Sequence, residues 1–410
     1  MKPREISFGF TMDRHNKAKE IEIAKVLAEP TPSARSQIAP FLALDVLAEA
    51  TSREGQGEDI LHLEIGEPSA PPPLRVREAA IAALSGGKIG YTEALGRPEL
   101  RARIASHYQH RYGLQITPER IAVTTGSSGG FVLAFLMLFD PGARVAVTAP
   151  GYPAYRNIFA ALGIEAVTLE TRRETNFAIT PKMIEAAHCA QKLDGLLLMS
   201  PANPTGLMIS RDALRAICET CKRLGIVFIS DEIYHGLTYG APAETALQFS
   251  PNAIVVNSFS KYFCMTGWRI GWLVLPESLI RVAERLQQNL AISVPTLSQI
   301  GAEAVFDAEE ELQRVAAGYA RNRDILLNAL PELGLDAQAP EGAFYLYADI
   351  SNYSADSLDF CAKMLAATGV ATTPGLDFDL AQGRNAIRLS FAGSERTILE
   401  ATRRLKAWLK

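Results

Sequence analysis

The sequence predicts an α/β fold in which a mostly parallel sheet is covered by helices on both faces and followed by a smaller α+β domain. Three observations support this prediction. Short apolar segments alternate with helical ones between residues 59 and 275. Many of these segments, such as RVAVT and GLLLM, are apolar at nearly every position, which is typical of parallel strands buried on both faces. After Pro276 the pattern changes to longer helical stretches separated by a few short strands.

The helices and strands up to residue 275 are predicted from the periodicity of apolar residues and from helix-capping residues. Leu100, Ile104 and Tyr108 are spaced by four residues, as expected for one face of a helix. Thr180 before Pro181 and Ser210 are typical helix N-caps. In chain order the patterns predict a helix over 37–53, a strand over 59–63, a helix over 98–112, and strands over 121–124, 144–148, 165–169, 195–199, 226–230, 253–257 and 268–275.

The remainder of the chain predicts a separate α+β domain. A long helical stretch is expected over 278–330, strands over 344–349, 370–373 and 386–390, and helices over 357–368 and 394–409. The segment before residue 60 has no sheet of its own, so we expect it to pack beside this domain. The predicted division is an N-terminal arm and part of the small domain in residues 1–60, a large α/β domain in 61–290, and a small α+β domain in 291–410.

Composition and charge exclude several classes of protein. The 410 residues are 48% hydrophobic and 21% charged, with a formal net charge of −4, so nothing indicates binding to nucleic acid or an anionic membrane. The longest apolar run, FVLAFLMLF, is far shorter than the ~20 residues of a membrane helix, and a cytoplasmic protein is expected. Cys218 and Cys221 lie in a helical pattern without a second pair, which argues against a zinc site.

Four polar loops each follow a predicted strand. The sequences are GSSGG, PANPTG, DEIY and SFSK. Because ligands of open α/β sheets bind outside the carboxyl ends of the strands, we expect these loops to lie near one another at one edge. The loops then deliver hydroxyls, an amide, a carboxylate, a phenol and an amine to one place.

One end of this set is suited to an anion. Gly126, Ser127 and Ser128 open a helix, where backbone N–H groups and hydroxyls form a cradle for phosphate. Ser258 and Arg269 flank Lys261 and add donors to the same group. Taken alone, a glycine- and serine-rich turn before a helix is common and would only be a loop.

The remaining groups favour one cofactor. Asp231 ends a buried strand, where a carboxylate is costly unless it is paired; it is either the N-cap of a following short helix or the partner of a protonated ring nitrogen. Tyr234 is expected on the same helix face, and Asn203 lies in a turn-forming NPTG. Pyridoxal phosphate requires a lysine, a carboxylate at its ring nitrogen, donors at its ring oxygen and an anion site. The set matches these requirements.

The sequence resembles the fold-type I pyridoxal-phosphate-dependent aminotransferases of class I/II, from residue 31 onward. SFSKYFCMTGWRIG is the most specific motif, and NPTG, DEIY and IRLSFA occur in the expected order. The resemblance implies a three-layer cofactor-binding domain, an amino-acid and a 2-keto-acid substrate, and a homodimer. A β-lyase or C–S lyase on the same scaffold remains an alternative, whereas a cofactor-binding regulator is disfavoured because only about thirty residues, not notably basic, precede the matched region.

The resemblance also implies a role for each matched residue. Lys261 is implied as the lysine that bonds to the cofactor and moves the proton, and Asp231 as the partner of the ring nitrogen. The other implied contacts are Asn203 and Tyr234 at the ring oxygen, Tyr152 against the ring, Gly126, Ser127, Ser128, Ser258, Ser260 and Arg269 at the phosphate, Tyr91 at the partner subunit's phosphate, and Gly66 and Arg388 at the substrate carboxylate.

Two departures from the family bear on the substrate. Bacterial aspartate aminotransferases of similar layout often carry a lysine where this chain has Ser128, and another branch has an arginine within the stretch that reads LQQNLAISVP here. A dicarboxylic substrate needs such a cation for its distal carboxylate. The sequence therefore favours a neutral donor, such as alanine or an aliphatic or aromatic amino acid.

Overall fold

The computed structural model describes residues 30–87 and 89–410. Residues 39–410 form one compact unit. Residues 30–38 carry a 3₁₀ turn, Ala34–Ser36. The expected N-terminal arm falls largely on residues 1–29, which lie outside the described part of the chain.

The compact unit alternates helices and strands along the sequence. The helices are α1 Leu42–Gly55, α2 Leu74–Ser85, α3 Pro98–Tyr112, α4 Gly126–Leu138, α5 Ala154–Leu162, α6 Pro181–Ala190, α7 Arg211–Leu224, α8 Glu277–Leu290, α9 Thr296–Val305, α10 Glu309–Leu333, α11 Ser357–Thr368 and α12 Glu395–Trp408. The strands are β1 Leu61–His62, β2 Ile121–Thr124, β3 Arg144–Ala149, β4 Glu165–Glu170, β5 Gly195–Met199, β6 Val227–Asp231, β7 Ile254–Ser258, β8 Gly271–Val274, β9 Asp336–Ala337, β10 Tyr345–Asp349, β11 Val370–Ala371, β12 Thr373–Pro374 and β13 Ala386–Ser390.

A seven-stranded sheet forms the centre of the compact unit. Its order is β2-β8-β7-β6-β5-β3-β4, and only β8 runs antiparallel to its neighbours, β2 and β7. The prediction of a mostly parallel sheet is therefore confirmed. β6 lies between β5 and β7, so the loops after these three strands begin at the same edge of the sheet.

The two faces of this sheet pack against different helices. In β5, Leu197 belongs to a core that includes Phe131 of α4 and Phe159 of α5. Its neighbours Leu196 and Leu198 belong to a second core with residues of α6 and α7. Because successive strand residues point to opposite faces, this division gives the predicted three layers of helix, sheet and helix.

A second sheet lies in the C-terminal part of the chain. Its order is β12-β13-β10-β9, with antiparallel pairing throughout, and β1 pairs in parallel with β11. α1 contacts β11 and β12, so residues 39–62 pack beside the C-terminal segment as expected. The boundaries predicted for the three domains stay a prediction.

Two predicted helices differ from the structure. The stretch 278–330 is three helices, α8, α9 and α10. The first break contains Ile292, which has a φ of 63°, and Pro295, and the second break lies at residues 306–308. The helix expected over 37–53 begins only at Leu42, after Pro40, and ends at Gly55. Proline disfavours the helical conformation in the residue before it, which explains the later start.

The helix expected after Asp231 does not form. Residues 233–236 are consecutive turns, with hydrogen bonds from the His235 N–H to the Glu232 carbonyl and from the Leu237 N–H to the Tyr234 carbonyl. Gly236, at a φ of 102°, ends the turns. Asp231 and Tyr234 are therefore brought together by a turn and not by a shared helix face.

The strands predicted at 59–63 and 268–275 are shorter than expected. β1 is limited to Leu61–His62, which is the part that pairs with β11. β8 begins at Gly271, because residues 266–268 form a 3₁₀ turn followed by Arg269 in the left-handed region. Within the described residues, no helix is long and apolar enough to cross a bilayer.

Candidate active site

The loops that follow β2, β5, β6 and β7 surround a cavity of about 190 Å³. The sequence had predicted that their polar groups meet at one edge of the sheet, and the cavity lies there. The C-terminal sheet and the start of α1 supply its other walls. Its lining residues from the predicted set are Gly66, Ser127, Ser128, Tyr152, Asn203, Asp231, Tyr234, Ser260, Lys261, Arg269 and Arg388.

Lys261 carries the amine of the site. It lies three residues beyond β7, and its half-buried side chain donates a hydrogen bond from Nζ to the Gly66 carbonyl. Burial, followed by the positive charge of Arg388, lowers the pKa of Lys261 to about 8. The cause is that both the loss of water and a nearby cation disfavour the ammonium form. A larger fraction of this amine is neutral near pH 7 than for an exposed lysine.

Asp231, the last residue of β6, is fully enclosed. The Tyr155 hydroxyl donates a hydrogen bond to its Oδ2, and the Ile233 N–H donates to Oδ1 at 3.1 Å. Burial raises the pKa of Asp231 to about 7, while these two hydrogen bonds and the charge of Lys261 favour the ionised form. A carboxylate held in this way is ready to pair with a cationic group in the cavity.

One side of the cavity is built to bind an anion. Gly126 opens α4 with a φ of 68°, and a Cβ there would lie 2.6 Å from Nη2 of Arg269. Arg269 itself adopts φ 50°, and its Nη1 donates to the Thr266 carbonyl at 2.9 Å. The guanidinium, the N-terminus of a helix of more than three turns, and the hydroxyls of Ser127 and Ser128 are the donors that a phosphate needs.

Asn203 and Tyr234 lie in the cavity wall, where they can offer hydrogen-bond donors to a ligand. Asn203 Oδ1 accepts a hydrogen bond from Nη1 of Arg388 at 3.0 Å, which leaves the amide N–H groups of Asn203 as donors. The hydroxyl of Tyr234 lies 2.7 Å from that of Tyr345. Burial raises the pKa of Tyr234 well above its usual value, so the phenol stays protonated.

Arg388 is a buried cation without an anionic partner among the residues that the structure describes. It donates to Thr373 Oγ1 at 3.1 Å and to the Glu64 carbonyl, and its Nε has no partner there. The guanidinium packs over the rings of Tyr345 and Phe378, 4.3 and 4.7 Å from their centroids. Because a buried charge is costly unless it is paired, this arrangement favours an anionic ligand.

Gly66 allows the chain to approach Tyr345 closely. A Cβ at this position would lie 1.8 Å from the Tyr345 hydroxyl oxygen. Any larger residue would displace either the loop after β1 or the ring. The resemblance had placed Gly66 at the substrate carboxylate, and the structure places it in the cavity wall.

Four apolar residues, Phe41, Ala43, Leu44 and Ile65, line the same cavity, and we call them the apolar wall. The first three come from the start of α1. The ring of Phe41 meets that of Tyr152 edge to face, with centroids 5.7 Å apart. Phe41 and Tyr152 therefore form an aromatic contact in the lining of the cavity.

Three predicted residues do not line the cavity in this chain. Gly126 and Ser258 are buried behind it, and the Ser258 hydroxyl donates to Ser260 Oγ at 2.9 Å and to the Ile270 carbonyl at 3.0 Å. Tyr91 is 83% exposed at the surface. The expected contribution of Tyr91 to a partner's site stays a prediction.

Sequence reasoning missed two tyrosines of the site. Tyr155 lies three residues after Tyr152 on α5, and this helical spacing was a usable signal. Tyr345 comes from β10, more than a hundred residues after Tyr234, and no local pattern connects the two. The apolar wall was missed for the same reason.

Several known proteins similar to this chain are aminotransferases. The sequence profile described as Aminotransferase class I and II matches residues 58–405. The chain belongs to this family. A valine–pyruvate aminotransferase from Mycobacterium tuberculosis is 49% identical over 380 residues, which is 92% of this chain and 97% of that protein.

Solved structures agree with the family. An aminotransferase from M. tuberculosis superposes with a TM-score of 0.90 at 48% identity, covering 93% of this chain and 99% of that one. The aspartate aminotransferase of Thermus thermophilus, solved with maleate, gives 0.88 at 33% identity, with coverage of 92% and 99%. This family member is an aminotransferase that depends on pyridoxal 5′-phosphate.

The residues of the cavity fit that cofactor. The amine of Lys261 is suited to bond with an aldehyde, the carboxylate of Asp231 to hold a protonated nitrogen, and Tyr152 to lie against a ring. The missing Cβ at Gly126 leaves room for Arg269 at the anion-binding side. Arg388, a lining cation without an anionic partner among the described residues, is suited to the second anion of the reaction, the carboxylate of the amino acid.

Proposed function

We propose that this aminotransferase takes its amino group from a neutral, aliphatic L-amino acid and passes it to a 2-keto acid in a ping-pong reaction. The observation that supports this choice is the apolar wall, which lines the same cavity as Lys261 and Arg388. The lining cations are Lys261, Arg269 and Arg388. In this proposal Lys261 bonds to the cofactor's aldehyde, Arg269 binds its phosphate, and Arg388 binds the substrate's α-carboxylate. No lining cation remains among the described residues for a second substrate carboxylate.

In this proposal the chain's own groups divide the work. Pyridoxal phosphate, when bound, supplies an aldehyde that bonds to amines and a ring that accepts electrons from the amino acid's Cα. Ser127, Ser128 and Arg269 hold the phosphate, and Asn203 and Tyr234 donate to the ring oxygen. Gly126, Ser258 and Ser260 shape the phosphate side from behind, with Ser260 also exposed to the cavity.

The proton is moved by Lys261. With a pKa near 8, Nζ is neutral often enough to take the proton from Cα and returns it to the cofactor during the same half-reaction. The hydrogen bonds from Tyr155 and the Ile233 N–H favour the ionised form of Asp231, which would pair with the ring nitrogen and favour its protonated form. Arg388 orients the substrate through its carboxylate, which places the Cα–H bond toward Lys261.

The apolar wall sets the class of side chain. A branched aliphatic group placed against Phe41, Leu44 and Ile65 loses contact with water, which stabilises it by about 0.8 kcal/mol for each buried CH₂. A carboxylate in the same place would lose its hydration without a partner. The similarity to the valine–pyruvate aminotransferase of M. tuberculosis supports the same choice.

The half-reaction with single amino acids tests this proposal. The holoenzyme is mixed with valine, alanine, phenylalanine or aspartate in a stopped-flow spectrometer without a keto acid, and the loss of the cofactor's visible band is followed. We expect valine and alanine to bleach the band at least about tenfold faster than aspartate at equal concentration. A faster reaction with aspartate would contradict the proposed donor class.

The same experiment distinguishes the lyase alternative. The similarity to known aminotransferases supports an aminotransferase over a lyase. An aminotransferase releases the keto acid and retains the amino nitrogen on the cofactor. Addition of pyruvate or 2-oxoglutarate should then restore the visible band. Release of ammonia without an acceptor would favour a lyase instead.

We further propose a homodimer in which Tyr91 reaches the partner's phosphate site. Supporting this proposal, Ile89, Tyr91, Leu290 and Ile292 are exposed apolar residues from two neighbouring segments. Those segments are joined by a hydrogen bond of 2.5 Å from the hydroxyl of Thr296 to the Gly90 carbonyl. Exposed apolar groups that cluster in this way are typical of an interface between subunits.

A further inference from the structure

The first turn of α1 is held in place by a side chain from the other end of the chain. The Leu42 N–H donates to Oδ1 of Asp377 at 3.1 Å, and the Ala43 N–H donates to Oδ2 at 3.2 Å. The residue at the N-cap position, Phe41, provides no side-chain cap of its own. One carboxylate therefore satisfies two of the N–H groups that every helix leaves unpaired at its start.

The apolar attachment of α1 is partial. Its fully buried residues are Ala43 and Ala50, which have small side chains; Leu42, Val46 and Leu47 are half-buried, and Leu44 is 50% exposed. The two hydrogen bonds to Asp377 therefore help to fix the position of the first turn. That first turn carries three of the four residues of the apolar wall.

Asp377 lies in a segment that contacts the active site. It ends a 3₁₀ turn, Gly375–Asp377, and its carbonyl accepts a hydrogen bond of 2.5 Å from Nη2 of Arg156. The next residue, Phe378, packs against the guanidinium of Arg388. The segment thus links the proposed binding site for the substrate carboxylate to the wall that faces its side chain.

We propose that Asp377 is a specificity-determining positioning residue, which holds Phe41, Ala43 and Leu44 against the side chain of a branched aliphatic substrate. The inference rests on the proposed donor class. According to this proposal, selection of a larger donor over alanine depends on the contact between Asp377 and the start of α1. The residues that touch the substrate contribute as well. Alanine has no group beyond Cβ, so it gains little from the wall.

Asp377→Ala removes both acceptors and is compared with wild type on valine and alanine. We expect KM for valine to rise about tenfold, with kcat nearly unchanged, and KM for alanine to change less than about threefold. Amide hydrogen exchange at residues 42–44 should become faster. Cofactor affinity, followed by its visible absorbance, should stay the same.

Two further variants separate this role from general stability. Leu42→Pro removes one of the two donors while a proline suits the first helical position, so it should shift KM for valine in the same direction by a smaller factor. Asp45→Asn removes an exposed negative charge from the same turn and should leave both donors unaffected. Asp377→Asn keeps one acceptor and should recover part of the discrimination, which gives a readout even if the alanine variant does not fold.

The outcomes distinguish the inference from the function on which it rests. If the wild-type enzyme does not react with valine or alanine, the proposed donor class fails. If wild type reacts and Asp377→Ala loses both donors equally, or if Leu42→Pro and Asp45→Asn behave alike, the positioning role of Asp377 is overturned.

Discussion

At the scale of single residues, the site depends on groups whose protonation is set by burial. Lys261 and Asp231 are shifted in opposite directions, each toward its neutral form. The Tyr155 hydroxyl and the Ile233 N–H oppose the effect of burial on Asp231, because they favour its carboxylate form. The charge of Arg388 adds to the effect of burial on Lys261, because it also favours the neutral amine. Pairs of shifted groups in one cavity are typical of catalytic sites.

Lys261→Ala should abolish covalent attachment of the cofactor. The side chain also moves the proton, so we expect kcat to fall by at least about 10²–10⁴-fold. Borohydride reduction followed by peptide mapping measures the attachment. The exposed Lys182 is a matched control, since Lys182→Ala should retain both colour and activity. A trapped adduct on another residue would refute the role of Lys261.

The rate at which cofactor bonds to cofactor-free enzyme should depend on pH. Only the neutral amine attacks an aldehyde, and the pKa of Lys261 is lowered to about 8, so the rate should rise with pH and level off above about 8. Arg388→Gln removes a charge that lowers this pKa and should move the midpoint upward. Stopped-flow absorbance gives both profiles, and a midpoint near 10 in the wild type would contradict the prediction.

Tyr155→Phe should weaken the proposed ion pair between the Asp231 carboxylate and the cofactor's ring nitrogen. Loss of the hydroxyl raises the pKa of Asp231 further, so less carboxylate is present at pH 7 and kcat should fall about tenfold. Activity of the variant should recover as the pH rises, since the carboxylate then re-forms. Tyr353→Phe removes a hydroxyl that donates to the Leu333 carbonyl, remote from the cavity, and should have no such effect.

At the scale of elements, strand ends and turns bring the site together. β5, β6 and β7 are adjacent and parallel, so the loops that hold Asn203, Asp231 and Lys261 start side by side. The sequence predicted this convergence, because apolar strands with polar loops are easily recognised. It predicted a helix after Asp231 wrongly, because the DEIYHG segment makes turn hydrogen bonds that have no clear periodic signature.

Gly66→Ala should disturb the contact between the loop after β1 and β10. The new Cβ would overlap with the hydroxyl of Tyr345, and overpacking of this kind costs about 1–3 kcal/mol in the free energy of unfolding. We expect a lower thermal midpoint and a raised KM. Gly267→Ala is the control, because a Cβ there meets no atom within 4 Å. Equal effects of the two substitutions would argue against a close approach at Gly66.

At the scale of the whole molecule, the active site joins segments from the entire chain. Phe41 and Arg388 lie near opposite ends of the sequence and line the same cavity. The loops of the central sheet provide the groups proposed to bind the cofactor, while α1 and the C-terminal sheet provide the groups proposed to select the substrate. A second copy of the chain is expected to complete the phosphate site through Tyr91.

Hybrid dimers test this expectation. A Tyr91→Ala protomer and a Lys261→Ala protomer are each expected to be impaired as homodimers. If Tyr91 acts across the interface, the mixed dimer contains one site with both residues intact, and activity should return to about half that of the wild type per mixed dimer. No recovery on mixing would place Tyr91 outside the partner's site. The mass in solution gives the oligomeric state.

The sequence by itself determined the fold class, the cofactor and most of the predicted residues that line the cavity. Strand periodicity and short motifs such as SFSK and DEIY are local, so they are readable without the structure. Only the tertiary structure decided how Tyr345, the apolar wall and Asp377 enter the site. Those contacts join residues hundreds of positions apart, and they depend on the packing of α1 and of the C-terminal sheet on the central sheet, which no local pattern encodes.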